Sequence, residues 1–295
     1  MSLKLDHIVI AVHDLESAIA DYAALGFQVL RGGDHPGRTT HNALVVFQDG
    51  SYFELIAWRA PSPGERWWQL LQRHGEGIVD FALLPRSTAV TVEEARARSL
   101  ALEGPVDGGR VRPDGERLRW QIARPATADL PFLCGDLTPR ALRVPEGDAR
   151  THPNGALGVA SLALAVHDLD ATLERYRALL GDGHGEVAVH IGEAVALPGS
   201  GVRLAVIALG GSALVFSSPR ASAKTDAATP IGRAVEQRLS ARGEGPYALV
   251  LHTAATPSPE APDLAKTHGA LIEFAPAARE GVARRASALD SLVGG

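Results

Sequence analysis

The chain opens on LDHIVIAV (residues 5–12), where side-chain character alternates with period two: Ile8, Ile10 and Val12 share one face, and His7, Val9 and Ala11 share the other. His13 and Asp14 then introduce a helix in which Ala18, Tyr22 and Leu25 recur at helical spacing, and Gly26 stops it. Strands are expected at 27–31, 41–48 and 51–58, the last two joined by Asp49-Gly50, a strong hairpin signal. The order is strand, helix, strand, strand, strand. After a helix over 65–74 the order returns less cleanly, with strands at 78–85, 117–125 and 130–135 and a helix over 91–102. Residues 1–135 therefore read as two βαβββ modules.

The pattern also repeats at longer range. IAVHDLESAIADYAALG (10–26) matches LAVHDLDATLERYRALLG (164–181), and GERWWQLLQRHGEGIVDFALL (64–84) parallels IGRAVEQRLSARGEGPYALVL (231–251). A first domain over 1–135, a Pro- and Gly-rich linker over 136–156 and a second domain over 157–295 follow from this. The second copy is degenerate. It has strands near 159–166, 186–191, 202–209 and 212–217, then only a strand over 247–253, a helix near 260–267 and a strand over 270–274. Its closing strands are missing or rebuilt from the tail, 275–295.

Composition narrows the partners. A net charge of -5 over 295 residues leaves no basic footprint for nucleic acid and no polybasic surface for anionic lipid. With one cysteine, Cys134, there is no disulfide framework and no Cys-based zinc site. No apolar run is long enough to span a bilayer, and the first residues lack a charged-then-apolar signal. A cytoplasmic protein with a small-molecule ligand is expected.

Alternation also selects candidate chemistry. If Ile8 and Ile10 pack beneath the helix, His7 points to the opposite, concave face; if Phe53 and Leu55 do the same, Glu54 joins it. One imidazole and one carboxylate on a shared face suit a divalent ion, although His7 could equally hydrogen-bond Asp6 or backbone. A carboxylate inside an apolar strand such as SYFELIAW is costly unless paired or functional. Further donors are Asp80, placed on the concave face by Val79, Phe81 and Leu83, and His41 at the start of its strand. Cys134 reads as a small buried apolar residue, and Trp67-Trp68 as a core or dimer contact. HPGRTTHN (35–42) forms either a rim loop over the cavity or an ordinary turn. In RLRWQIARP, Arg117, Arg119 and Gln121 oppose Leu118, Trp120 and Ile122. A concave arginine face would select an anionic substrate; a solvent-facing one would be surface charge. The second copy has Ser161 opposite His7 and Val215 opposite Glu54, keeping the scaffold pattern without the polar pair.

Paired modules beginning LDHIVIAVHDL and closing on YFELI resemble the vicinal oxygen chelate superfamily, which includes glyoxalase I, extradiol dioxygenases, methylmalonyl-CoA epimerase and fosfomycin-resistance enzymes. HPGRTTHN followed by DGSYFELIAW, and later THPNG, is similar to the glyoxalase-like domain proteins of that group. The resemblance implies an α+β fold of tandem βαβββ modules forming two glyoxalase-like half-barrel domains, the second degenerate. It implies a divalent metal ion (zinc, nickel, manganese, magnesium or iron) on His7, Glu54 and Asp80, or no metal at all. The remaining family position falls near Leu133, where no carboxylate occurs before Asp136. Glu54 and His41 are the expected catalytic groups, and His35, Asn42, Arg119 and Trp120 the expected substrate contacts. The implied activity is of lyase, isomerase or hydrolase type on an oxygenated, anionic metabolite. The alternative is a metal-free protein that sequesters a small molecule, and a homodimer is expected in either case.

Overall fold

The N-terminal alternation becomes β1 (Lys4–Ala11), whose Ile8 and Ile10 join a buried cluster with Ala18 and Tyr22 of α1 (Leu15–Ala24), while Val9 and Ala11 enter a separate interior cluster. Both faces of the strand are covered, so both are apolar. Asp14 caps α1 by accepting the Ser17 N–H at 2.9 Å. Next come β2 (Leu30–Asp34), β3 (Thr40–Val46), β4 (Tyr52–Trp58) and α2 (Arg66–His74). The second module contains β5 (Gly77–Leu84), α3 (Thr88–Ala97), β6 (Leu102–Val111), β7 (Arg117–Pro125) and β8 (Phe132–Asp136). The structure, a computed structural model, describes residues 3–181, 189–220 and 229–277.

These eight strands close into a barrel in the order β1-β4-β3-β2-β6-β7-β8-β5. β1 runs parallel to β4, with His7 opposite Tyr52 and Val9 opposite Glu54, and antiparallel to β5, with Val9 opposite Asp80. β6 has no counterpart in the sequence reading. LEGPVDGGRV lacks apolar alternation, and its strand form rests on pairing along β7 and one bridge from Val111 to Asp34 of β2. An eight-stranded barrel has a lumen that side chains can nearly fill. At the level of Ala11 and Ile56, Leu71 and Trp67 of α2 pack on Val9, Val79, Ala82, Phe132 and Cys134. At the level of Tyr52, Val144 packs on Leu44, Val46 and Leu30. The space between is the cavity.

Val144 belongs to the stretch expected as a linker. It contains α4 (Arg140–Arg143) and a 3-10 turn over Gly147–Arg150, and Arg140 donates to the Gly50 carbonyl at 2.8 Å. The chain continues through β9 (Ala156–Ala165), α5 (Leu169–Leu180), β10 (Val189–Ile191), β11 (Val195–Ala196), β12 (Val202–Leu209) and β13 (Ser212–Pro219). It ends with α6 (Pro230–Arg242), β14 (Gly245–Thr253) and β15 (Leu271–Pro276). The second sheet is open, in the order β10-β12-β13-β9-β14-β15 with β11 beside β12, and α6 lays Val235 and Leu239 on Ala165, Val202 and Leu204. The helix expected near 260–267 is replaced by turns over 264–269, because Pro262 disfavours helical angles at Ala261 and Gly269 (φ 76°) ends the segment a few residues later. The tail from 278, part of the segment expected to supply closing strands, lies outside the described residues, as do residues 186–188 of the expected strand at 186–191. No helix among the described residues is long and apolar enough to cross a membrane.

The repeated motifs are joints of the scaffold. Glu76, from the first Gly-Glu-Gly, accepts the His13 N–H at 2.7 Å; Glu244, from the second, accepts the His167 N–H at 2.8 Å. Tyr22 of α1 donates to the Thr267 carbonyl and Tyr176 of α5 to the Asp129 carbonyl, each at 3.0 Å. Val-His-Asp-Leu therefore recurs for its backbone and its cap, and both of its histidine side chains are exposed.

Candidate functional site

His7 sits just after a register shift in β1: Leu5 pairs with Leu83 and His7 with Ala82, leaving Asp6 as an extra residue. Such a bulge turns consecutive side chains toward one another, which a regular strand forbids. The Asp6 carboxylate, fully buried, lies 2.8 Å from His7 Nδ1. The imidazole is 3% exposed, stacked on Tyr52 at 4.6 Å and edge-on to Phe132 at 5.3 Å. Asp6 in turn is gripped by Arg143 and Arg140, each at 2.7 Å, and Arg143 also binds Asp136 and the Tyr52 hydroxyl. Burial opposes the Asp6 charge, but Arg143, His7 and Arg140 together hold its carboxyl far below the usual carboxylate range.

Glu54 projects from β4 into the same space. Its Oε2 lies 3.5 Å from His7 Nε2, its Oε1 accepts the Asn42 amide at 2.6 Å, and His35 Nε2 is 3.7 Å from Oε1. Burial pushes the carboxyl up; His7, His35, Asn42 and Arg110 outweigh it and leave Glu54 more acidic than an ordinary glutamate. His35, fixed by Thr40 at 2.9 Å, is pushed toward its neutral form chiefly by burial. Arg110 reaches Asn42 Oδ1 at 3.3 Å, so the amide bridges guanidinium and carboxylate.

Asn42 fits because Gly32 faces it. A Cβ there would lie 1.9 Å from Asn42 Oδ1 and 2.7 Å from Arg110 Nη1. Gly32→Ala is expected to cost about 1–3 kcal/mol and to push the amide off Glu54, whose carboxyl then titrates at higher pH. An NMR titration of Glu54 in this variant reads the shift, and an unmoved curve would show that Asn42 does not hold the carboxylate.

His7, His35, Asn42, Tyr52, Glu54, Arg110 and Arg143 line a cavity of about 380 Å³, together with Thr40, Ile56, Trp67, Trp120, Ile122, Arg124, Phe132 and Cys134. His7, Glu54, His35, Asn42 and Trp120 thus meet in one place. His41 does not. β3 pairs with β4 without a bulge, so Thr40 and Asn42 face the lumen while His41 turns outward toward Arg59, Asp34 and Glu16. Asp80 is near but engaged: Oδ2 accepts from Arg66 at 3.0 Å and Trp67 Nε1 at 2.9 Å, and Oδ1 accepts the Phe81 N–H. On β7 the inward face carries Trp120, Ile122 and Arg124. Arg119 only borders the cavity rim and is paired with Asp107 at 2.9 Å in solvent. Cys134 packs in the lumen, its thiol pushed up to about 12 by burial.

The sequence reading passed over Asp6, Tyr52, Arg110, Arg124 and Arg143 as site residues. Asp6 carried a signal, an acid directly before His7. Arg143 carried none, since only chain folding brings it back from the presumed linker.

The family resemblance implies a divalent ion, and the donor set does not suit one. Among the described residues no cluster of three or more His, Cys, Asp or Glu side chains could hold a metal. His7 and Glu54 are two donors where such sites need at least three, and the nearby His35 Nε2 and Glu54 Oε1 are both held by the Asn42 amide. Asp80 is taken by Arg66 and Trp67, the fourth position is the buried Leu133, and the guanidinium groups of Arg110 and Arg143 oppose a further cation.

Residues 5–180 match a family model described as a glyoxalase-like domain. Among solved structures, the fold is similar to that of a hypothetical protein from Staphylococcus aureus, with a TM-score of 0.67 and 14% identity over 93% of this chain and 100% of that one. It is also similar to a triple mutant of 4-hydroxymandelate synthase from Streptomyces coelicolor, with a TM-score of 0.57 and 17% identity over 87% of this chain and 73% of that one. At such identities the likeness is one of fold. No curated protein matches the sequence.

Proposed function

The chain belongs to the glyoxalase-like domain family of the vicinal oxygen chelate superfamily, and on that footing we propose that its barrel binds a small oxygenated, anionic metabolite and moves a proton on it through Glu54 and His7. The reaction is of isomerase or lyase type, beginning with removal of a proton beside a carbonyl. One observation carries this reading. An ionised, buried carboxylate lies 3.5 Å from an imidazole whose other nitrogen is bound to a buried aspartate, and both line a cavity of small-molecule size.

Each group has a role that follows from its partners. Asn42 occupies Glu54 Oε1, so Oε2 is the oxygen free to accept a substrate proton. A proton on Oε2 can pass to His7 Nε2, because Asp6 accepts the Nδ1–H and stabilises the imidazolium that forms. Arg110 supplies the donor charge for an oxygen that gains negative charge, while His35, pushed toward its neutral form by burial, accepts from the Asn42 amide through Nε2.

The test is proton exchange in D2O. Oxo acids with their carbonyl at carbon 2, 3, 4 or 5 are incubated with the protein, and loss of the α-carbonyl proton signal is followed by NMR. Exchange of at least one acid above the buffer rate is expected. A protein that only sequesters its ligand would bind an acid and leave these protons in place, and that outcome sinks the proposal.

The pH dependence follows from the depressed Glu54 carboxyl. The base form persists as pH falls through the ordinary glutamate value of about 4.3, so the acid limb of kcat/KM is expected below it. An acid limb that stays above that value when His7 is replaced by Asn would mean that Glu54 is not the base.

A further inference from the structure

The cavity has a second lobe of about 220 Å³, and Arg38, Glu65, Trp67, Arg124 and Phe132 line both lobes. Among the described residues the buried and half-buried charges around the two lobes pair off, with one exception; Arg117, also unpaired, is exposed at the rim. Asp6 and Asp136 are matched by Arg140 and Arg143. Glu54 is joined to Arg110 through Asn42. Asp80 binds Arg66 at 3.0 Å, and Glu65 faces Arg38 at 3.9 Å.

Arg124 remains. Among the described residues no hydrogen bond or ion pair engages its guanidinium, which lies 4.9 Å from the Trp67 ring and 5.0 Å from the Phe132 ring. Asp80 attracts it at a distance, but both Asp80 oxygens are already occupied. A largely buried guanidinium without an acid partner is costly, and stacking on two aromatic faces offsets only part of that cost. Its planar fork stays open for a carboxylate.

Phe132 also carries His7 on its edge at 5.3 Å. A small molecule lying on this ring is therefore within reach of both the spare cation and the Glu54–His7 pair. We propose that Arg124 is the anchor for the single anionic group of the ligand, and that the substrates are small monocarboxylic oxo acids whose carboxylate rests on Arg124 while the carbonyl end meets Glu54 and His7. The assignment rests on the proposed function for the identity of the reacting end, and its own content is the charge at the other end.

The experiment measures binding, separately from turnover. The same series of oxo acids, and the methyl ester of each, are titrated by NMR into the otherwise wild-type protein and into a Glu54→Gln background that does not turn over. For at least one member the acid is expected to bind at least tenfold more tightly than its ester in both. Arg124→Gln should remove about tenfold to a hundredfold of that preference, the size of a charge-assisted contact. Arg124→Lys should restore part of it, which separates lost charge from lost fold. Equal binding of acid and ester for every member, or a preference unchanged in Arg124→Gln, overturns the assignment. Acid preference without proton exchange would leave the anchor standing and defeat the catalytic proposal.

Discussion

Glu54→Gln is expected to lower the rate of α-proton exchange by about 10²- to 10⁴-fold, the usual contribution of a positioned general base. The substitution keeps the side chain's length and an oxygen for Asn42 to donate to, so the cavity remains while the proton acceptor is lost. His7→Asn should act differently. It removes the carrier to which Glu54 passes its proton and leaves Glu54 the carboxylate intact. The expected pattern is near-complete loss in Glu54→Gln and partial loss in His7→Asn, with ligand binding retained in both. Exchange within a factor of ten of wild type in Glu54→Gln would remove this residue from the chemistry.

Asp6→Asn is expected to cost about 3–5 kcal/mol of folding stability. Asp6 is fully buried and answers two guanidinium groups and His7. Without its charge, Arg140 and Arg143 are left with Asp136 as their one acidic partner, and a buried cation lacking its partner costs far more than the pair contributes. The melting temperature should fall by roughly 10 °C for a protein of this size. Because the folded-state value of Asp6 lies below its unfolded one, its contribution is complete above about pH 4 and is lost only as pH falls through the depressed value. Asp6→Leu combined with Arg143→Met should recover much of the loss, as apolar replacement of a buried pair often does. A loss below 1 kcal/mol in Asp6→Asn would mean that the network is solvated.

How much of the site was legible differs from strand to strand. On β4, and on β1 from His7 onward, strict alternation against a helix-covered face oriented His7 and Glu54 correctly. On β3 the same rule, applied through Asn42 instead of to His41, would have turned His41 outward. On β7 the apolar residues Trp120 and Ile122 took the lumen and the Arg119–Gln121 face took the solvent, because the lumen of a small barrel is itself a hydrophobic core. The sequence reading had left both orientations of the arginine face open. β6 escaped notice because a strand held by backbone pairing on both sides needs no apolar period.

Local chemistry written along the chain was enough for the first βαβββ module, the long-range repeat of sequence motifs, the start and stop of the first helix and the shared face of His7 and Glu54. Period, capping and turn preference each act within a few residues, so a linear pattern carries them. Barrel closure, the return of Arg143 onto Asp6, the occupation of Asp80 by Arg66 and Trp67, and the lack of an acid partner for Arg124 among the described residues were set by contacts between different elements of the fold. Those contacts depend on strand register and on a single bulged residue in β1. A shift of one position reverses which side chains enter the lumen, and no local pattern encodes that choice.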